Sequence, residues 1–222
     1  MTLCLVTDRR RLGAAVGALA PDWTQTLLRQ LQGAVAGGID LIQVREPDLE
    51  AGELSSLVRS AVDLASGTAT KILVNDRLDV ALAAGAGGVH LKESGFPVER
   101  ARAIVPPGFL IGCSVHSATS VSARKNADYL IAGTVLPTVS KPSVESLNEE
   151  GLRAIVRAAA PLPVLGIGGL GTSSVALVAA AGATGFAAVG VFIPRSGEPL
   201  SEFVKKRVME LRFALESAAP RT

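Results

Sequence analysis

The sequence predicts an α/β protein in the form of a (β/α)8 barrel. Short apolar runs recur along the 222 residues, and each is followed by a polar turn and a helical pattern. The runs are continuous rather than alternating, which is typical of parallel strands covered on both faces. Eight such units match a (β/α)8 barrel, whereas a doubly wound sheet would need fewer strands and a point where the strand order reverses.

Eight strands and eight helices are predicted in alternation. Apolar side chains recur on one face of several helical segments, and glycine or proline ends most of them. The strands are predicted at 3–7, 41–45, 72–75, 88–91, 110–115, 129–135, 164–167 and 186–191. The helices are predicted at 24–36, 49–65, 78–84, 97–105, 118–126, 149–160, 173–181 and 200–217. We expect one barrel domain over 1–222, with a long lid-like loop near 136–148.

The composition favours a cytoplasmic enzyme with small-molecule partners. The formal net charge is +2 and no long basic run is present, so neither a nucleic acid nor a membrane is an expected partner. The apolar run at 3–6 is too short for a signal-peptide core or a membrane span. The cluster Arg9-Arg10-Arg11 predicts a solvated turn. Cys4 and Cys113 predict buried thiols rather than a disulfide. A homo-oligomer is left open.

Glycines after the seventh predicted strand form a candidate phosphate site. Gly166, Gly168 and Gly171 match G-x-G-x-x-G, which alone would suggest a dinucleotide fold. Residues 184–191 lack the acidic residue that a dinucleotide site carries about 20 positions after the glycines. In a barrel, the loops after strands seven and eight commonly hold a phosphate. Because glycine lets backbone N–H groups approach an anion closely, the segment favours a phosphate ligand.

Polar side chains at the ends of predicted strands two and three form a second candidate region. Gln43 and Arg45 share one strand face and both point toward the barrel mouth, because side chains alternate. Arg45 offers a planar fork for a phosphate or carboxylate, and the alternative is an ion pair with Glu46 or Asp76. Asn75 and Asp76 are suited to binding a substrate amine or Mg²⁺, and the alternative is a turn-capping pair.

Two histidines and one lysine follow the later strands. His116 is suited to moving protons near neutral pH, and the alternative is a hydrogen-bonded residue behind the site. His90 is predicted to be packed inside the structure. Lys141 lies on the long loop, where it would close over a phosphate or remain a solvated surface lysine.

Seven motifs occur in the order and spacing of a known enzyme family. They are Thr7-Asp8-Arg9, Gln43-Val44-Arg45-Glu46, Asn75-Asp76-Arg77, Gly88-Val89-His90-Leu91, Ser114-Val115-His116-Ser117, the segment 133–141, and Gly166-Ile167-Gly168-Gly169. Together they resemble the thiamine-phosphate synthase/TenI superfamily, and the resemblance covers nearly the whole chain. It implies a (β/α)8 barrel of thiamine biosynthesis.

The resemblance implies one of two reactions. A synthase joins hydroxymethylpyrimidine pyrophosphate to a thiazole phosphate, with Mg²⁺, and releases pyrophosphate. The TenI branch aromatises a thiazole phosphate tautomer and forms no carbon–nitrogen bond. By resemblance, Asp76 would be a Mg²⁺ ligand in a synthase. Gln43, Arg45 and Asn75 would meet the pyrimidine and pyrophosphate, Ser114, Thr134, Thr138, Ser140 and Lys141 would line the mouth, and Gly168, Gly169 and Gly190 would cradle the thiazole phosphate.

Some positions depart from the patterns of both branches. Pro47 stands where synthases carry a lysine, and Gly95 where they carry an aspartate that binds Mg²⁺. Losing a cation and a metal carboxylate weakens the departure of pyrophosphate, which relies on charge neutralisation. Glu93 is the nearest substitute carboxylate. Thr134 stands where TenI uses a histidine, and His116 is the nearest replacement by role.

These departures favour a TenI-like thiazole tautomerase, an isomerase without a cofactor, with His116 and Lys141 as its catalytic candidates. The alternative is thiamine-phosphate synthase, a transferase that would use Mg²⁺. A third hypothesis is a barrel that binds a phosphorylated ligand without turnover.

Overall fold

The protein forms a closed barrel of eight parallel strands. The computed structural model describes residues 1–138, 145–195 and 197–218. Each strand pairs with the next one in the chain, and the eighth strand pairs with the first. Helices pack against the outer face of the barrel. The predicted (β/α)8 architecture, a TIM barrel, is therefore confirmed.

Each of the eight predicted strands overlaps an observed strand. They are β1 (Thr2–Val6), β2 (Leu41–Val44), β3 (Lys71–Asn75), β4 (Gly88–Leu91), β5 (Leu110–Val115), β6 (Tyr129–Gly133), β7 (Val164–Ile167) and β8 (Gly185–Ala188). The predicted strands at 129–135 and 186–191 are too long. Apolar residues such as Val135 and Val191 continue past the point where the strand pairing ends.

The helices differ from the prediction in kind at two places. The observed helices are α1 (Arg9–Val16), α2 (Trp23–Ala36), α3 (Ala51–Ala65), α4 (Leu78–Ala83), α5 (Val98–Arg102), α6 (Asn148–Ala159), α7 (Val175–Ala180) and α8 (Leu200–Ala218). Helix α1 was not predicted, and the helix predicted at 118–126 is a 3-10 segment at Ala118–Arg124. Helices α5 and α7 are also shorter than predicted. Among the described residues, no helix is both long enough and apolar enough to span a membrane.

Two apolar cores follow from the alternation of side chains along the strands. Inside the barrel, Cys4, Leu73 and Leu165 belong to one small cluster. Residues that point outward, such as Leu5 and Ile111, belong to a larger core between the strands and the helices. Since both faces of each strand are buried, both faces are apolar, and this explains the continuous apolar runs.

The two cysteines are free and buried, as predicted. Cys4 lies in the inner cluster, where burial raises the pKa of its thiol to about 12. Burial also raises the pKa of the Cys113 thiol. Both side chains therefore act as small apolar residues rather than as reactive thiolates.

Helix α1 begins directly after β1. The Asp8 carboxylate caps it by accepting a hydrogen bond from the backbone N–H of Arg11 at 3.0 Å. Arg9 is buried, and its guanidinium lies 2.6 Å from Asp48 and 3.2 Å from Glu46. Hydrogen bonding to Arg9 lowers the pKa of the Asp48 carboxyl to about 2. The prediction of a solvated turn is therefore wrong, because Arg9 ties α1 to the end of β2.

Candidate active site at the mouth of the barrel

An amide pair forms the inner wall of the mouth at the ends of β2 and β3. The Gln43 side chain is almost fully buried, and its Nε2 donates a hydrogen bond to Asn75 Oδ1 at 2.9 Å. Both residues lie near the carboxyl ends of adjacent parallel strands, where barrel enzymes carry their chemistry. The structure therefore brings these two predicted residues together, and the bond fixes the orientation of both amides.

A buried histidine connects β4, β5 and β6. His90 Nε2 lies 3.0 Å from Ser114 Oγ, and Nδ1 lies 3.2 Å from the Tyr129 hydroxyl. Burial lowers the pKa of His90 to about 4, so the imidazole is neutral near pH 7. One ring nitrogen then donates and the other accepts, which positions both hydroxyls. The Tyr129 ring lies directly over Gly112, leaving no space for a side chain there. The prediction that His90 is packed inside is confirmed.

Asp76 forms an ion pair that the sequence analysis did not predict. Its backbone has a φ of 64°, and its N–H donates to the His90 carbonyl at 2.8 Å. The Asp76 carboxylate Oδ2 lies 2.5 Å from the Lys92 ammonium Nζ. Lys92 directly follows β4, two positions after His90, and this spacing was the available signal for the residue. Arg77, the residue directly before α4, makes no side-chain cap to that helix.

The donors around Asp76 do not fit the Mg²⁺ site that the resemblance implies. A Cβ atom at Gly95 would lie 2.7 Å from Asp76 Oδ1, so this position directly faces the Asp76 carboxylate. Glycine supplies no oxygen ligand from a side chain there. Within the described part of the chain, no three His, Cys, Asp or Glu side chains form a group that could hold a metal ion. The Asp76 carboxylate is instead neutralised by Lys92.

His116 and Glu93 form a second pair at the rim. His116 Nδ1 lies 2.7 Å from Glu93 Oε2, and the His116 backbone N–H donates to Glu93 Oε1 at 3.3 Å. Burial acts to raise the pKa of Glu93, but hydrogen bonds from Ser120 and His116 outweigh it and lower the pKa. The Glu93 main-chain carbonyl accepts a hydrogen bond from Arg124. Glu93, the expected substitute metal carboxylate, is therefore directed to His116.

The glycine turn after β7 packs closely against the loop after β6. Gly168 and Gly169 have φ values of 100° and 65°, in the left-handed region that favours glycine. A Cβ atom at Gly168 would lie 2.5 Å from Thr134 Cγ2, and one at Gly169 would lie 2.7 Å from Leu136 Cβ. Thr134, a predicted substrate contact, is thus buried with its methyl group against Gly168. The turn cannot accept side chains unless this loop moves.

An arginine lies over the glycine that follows β8. A Cβ atom at Gly190 would lie 2.9 Å from a terminal nitrogen of the Arg11 guanidinium. Arg11 belongs to the first turn of α1, which starts at the mouth of the barrel. The structure therefore places a cation beside one of the three predicted phosphate-binding glycines. The available signal was the capping residue Asp8, which starts a helix where the prediction had a turn.

Arg45 is exposed at the rim after β2. The two acids that were considered as its ion-pair partners are engaged elsewhere. Glu46 pairs with Arg9, and Asp76 pairs with Lys92. The described contacts thus do not support the ion-pair alternative, and contact of Arg45 with a ligand stays a prediction.

The structure describes both ends of the loop at 136–148. Thr138 is half-buried at the last described position before the gap. Ser140 and Lys141 lie outside the described residues. The returning end is anchored, because the Leu147 backbone N–H donates to the Thr134 carbonyl at 2.8 Å. The lid-like role of the loop stays a prediction.

Comparison with known proteins identifies the family. The model of a family described as thiamine monophosphate synthase matches residues 4–192 of the chain. The chain belongs to the thiamine monophosphate synthase family. This membership confirms the superfamily inferred from the seven motifs.

Relatives in this family are identical to the chain at about a third or more of the aligned positions. A thiamine-phosphate synthase from Methanoculleus marisnigri is 42% identical over 77% of this chain and 81% of its own. One from Pyrococcus abyssi is 36% identical over 97% of this chain and 95% of its own. A solved structure of thiamine phosphate pyrophosphorylase from Pyrococcus furiosus is 32% identical, covers 98% of this chain and 96% of its own, and superposes with a TM-score of 0.79.

Proposed function

We propose that the protein is a thiamine-phosphate synthase. The observation that carries the proposal is its similarity to synthases such as those of Methanoculleus marisnigri and Pyrococcus abyssi. This is the alternative of the sequence analysis, and the relatives support it better than the tautomerase that the departures favoured. The reaction forms a bond from the thiazole nitrogen to the exocyclic pyrimidine carbon, and pyrophosphate leaves with the electron pair of the broken carbon–oxygen bond.

The polar wall of the mouth is suited to the pyrimidine pyrophosphate. Gln43 and Asn75 hold each other's amides in place, so their remaining donors and acceptors have fixed directions toward a heterocycle. Ser114, held by His90, adds a hydroxyl on the same wall. Arg45 at the rim offers two parallel N–H groups to the pyrophosphate. We assign these residues to the pyrimidine half of the site.

The glycine corner is suited to the thiazole phosphate. The turn at Gly168 and Gly169 exposes backbone between β7 and the loop after β6, and Gly190 follows β8 next to it. Arg11 adds a positive charge beside Gly190. Backbone N–H groups together with a guanidinium form an environment that stabilises a phosphate dianion. The two halves would hold their substrates on opposite sides of one mouth.

The test is a direct assay of product formation by the purified full chain. We expect thiamine phosphate and pyrophosphate to form in equal amounts from hydroxymethylpyrimidine pyrophosphate and thiazole phosphate, measured by chromatography with and without Mg²⁺. Arg45→Met is expected to lower kcat/KM by about thirtyfold, the effect of losing a charge-assisted contact of about 2 kcal/mol. Arg59→Met, on the outer helix α3, serves as the matched control. If no thiamine phosphate forms under either condition, the proposal fails.

A tautomerase is the second candidate, and the His116–Glu93 pair favours it. Because Nδ1 faces Glu93 at 2.7 Å, a proton would be exchanged at Nε2 on the exposed side of the ring. Aromatisation of the thiazole tautomer should then require His116. The reaction is monitored by ultraviolet absorbance. This candidate would be favoured if His116→Gln lost the tautomerase activity and the wild-type protein formed no thiamine phosphate. A cytoplasmic location and a single domain over 1–222 stay predictions.

A further inference from the structure

We infer that Lys92 is a built-in cation that binds the pyrophosphate group directly, at the position where the family resemblance implies a divalent metal. This inference rests on the proposed function for the identity of the anion. It assigns a binding role to a residue that belongs to none of the resembling motifs, and it predicts that pyrophosphate binds without a divalent cation.

The first support is the geometry of the ion pair. Lys92 Nζ lies 2.5 Å from Asp76 Oδ2, while 60% of the Lys92 side chain and 25% of the Asp76 side chain are exposed. The carboxylate therefore anchors the ammonium without enclosing it. An ammonium has three N–H donors, and a single bond to Asp76 leaves two of them for an anion in the mouth.

The second support is the poor fit of a divalent cation. Magnesium needs several oxygen ligands, usually one or two carboxylates together with substrate and water. Here Asp76 faces a glycine at position 95, and the Glu93 carboxylate accepts hydrogen bonds from His116. A metal at Asp76 would also meet the positive charge of Lys92 at close range, which disfavours it.

The third support is the placement of two cations on either side of Asp76. Strand β3 lies between β2 and β4 in the barrel. Arg45 follows β2 and Lys92 follows β4, so they flank the end of β3 where Asn75 and Asp76 lie. A pyrophosphate carries several negative charges, and one bound at the end of β3 would have a cationic residue after the strand on each side. Its departure needs charge neutralisation, and these two side chains supply it.

The experiment measures binding of inorganic pyrophosphate to the full chain by calorimetry in EDTA. We expect saturable binding by the wild type, at least tenfold weaker binding by Lys92→Met, and near-wild-type binding by Lys92→Arg, because one charge-assisted contact accounts for a tenfold change. Lys71→Met is the matched control, since Lys71 begins β3 at the opposite end of the barrel. Thermal unfolding verifies that each variant is folded.

A second measurement follows Mn²⁺ by electron paramagnetic resonance. We expect no saturable Mn²⁺ binding that depends on Asp76 in the wild type, and new binding in the double variant Lys92→Gly with Gly95→Asp. Saturable Mn²⁺ binding that is lost in Asp76→Asn, or pyrophosphate binding that appears only with a divalent cation, overturns the inference.

The two proposals fail in different ways. Thiamine phosphate synthesis that strictly requires Mg²⁺ would leave the proposed function intact and overturn the role of Lys92. Pyrophosphate binding through Lys92 in EDTA, with no thiamine phosphate formed from the two substrates, would overturn the proposed function and leave the role of Lys92 intact.

Discussion

The mouth of the barrel has a polar half and a glycine half. Strands β2 to β5 end in amides, hydroxyls and charges that hold one another, as in the Gln43–Asn75 and His90–Ser114 bonds. Strands β7 and β8 end in glycines whose backbone lies against neighbouring elements. The polar half presents side chains to the mouth, so a single substitution, such as glycine at position 95, changes which groups face one another there. The glycine half presents backbone, so a side chain at Gly168 or Gly169 would push the neighbouring loop out of place.

The largest expected effect is the loss of folding stability when a side chain is added to the glycine half. Gly168→Ala should lower the free energy of unfolding by about 3–4 kcal/mol, because it combines an unfavourable backbone conformation with a clash against Thr134. Urea denaturation measures the change. Gly38→Ala is the control, since Gly38 has a φ of 78° and a Cβ there would meet no atom within 4 Å. It should cost only about 1 kcal/mol. Equal losses of unfolding free energy in both variants would show that the close packing around Gly168 does not contribute to stability.

The next effect concerns pH and the polar half. The buried His90 stays neutral down to about pH 4, whereas an unfolded histidine takes up a proton near 6.5. The unfolded state therefore binds more protons as the pH falls through this window, and folding stability falls with it by about 3 kcal/mol. This contribution is present above pH 6.5 and lost below pH 4. Urea midpoints of the wild type and of His90→Asn between pH 7 and pH 4 provide the check. A variant with the same pH slope as the wild type would contradict the assignment.

The smallest effect tests the amide pair. Asn75→Ala removes the acceptor of the buried Gln43 amide and should lower the free energy of unfolding by about 1 kcal/mol. Asn75→Asp keeps an acceptor at the same place and should restore most of that loss in urea denaturation near neutral pH. If Asn75→Asp is no more stable than Asn75→Ala, the hydrogen bond to Gln43 does not organise this wall.

Sequence patterns predicted the barrel because burial on both strand faces leaves a continuous apolar run. They missed α1, since its arginine-rich first turn shows little apolar periodicity and its start depends on the cap from Asp8. They also placed the main polar residues at the strand ends, because alternation fixes which side chains share a face.

The pairings between those side chains could not be predicted. Whether Asp76 meets Arg45, a metal or Lys92 depends on rotamers and on the backbone turn after β3, which sequence spacing does not encode. The same holds for Glu93, whose partner His116 lies directly after the end of the neighbouring strand β5. Distances along the chain therefore predicted which residues lie at the strand ends better than which of them pair.

The contact of the Tyr129 ring with Gly112 has a consequence for the polar wall of the mouth. The ring belongs to the inner apolar cluster, while its hydroxyl reaches the layer of His90 and Ser114. It therefore lies below the layer of His90 and Ser114, toward the end of the barrel opposite the mouth, and supports that layer from inside. A single methyl group at position 112 would displace the ring. The position of His90, and through it that of Ser114, is thus controlled from within the barrel at Gly112, which lies outside the candidate site.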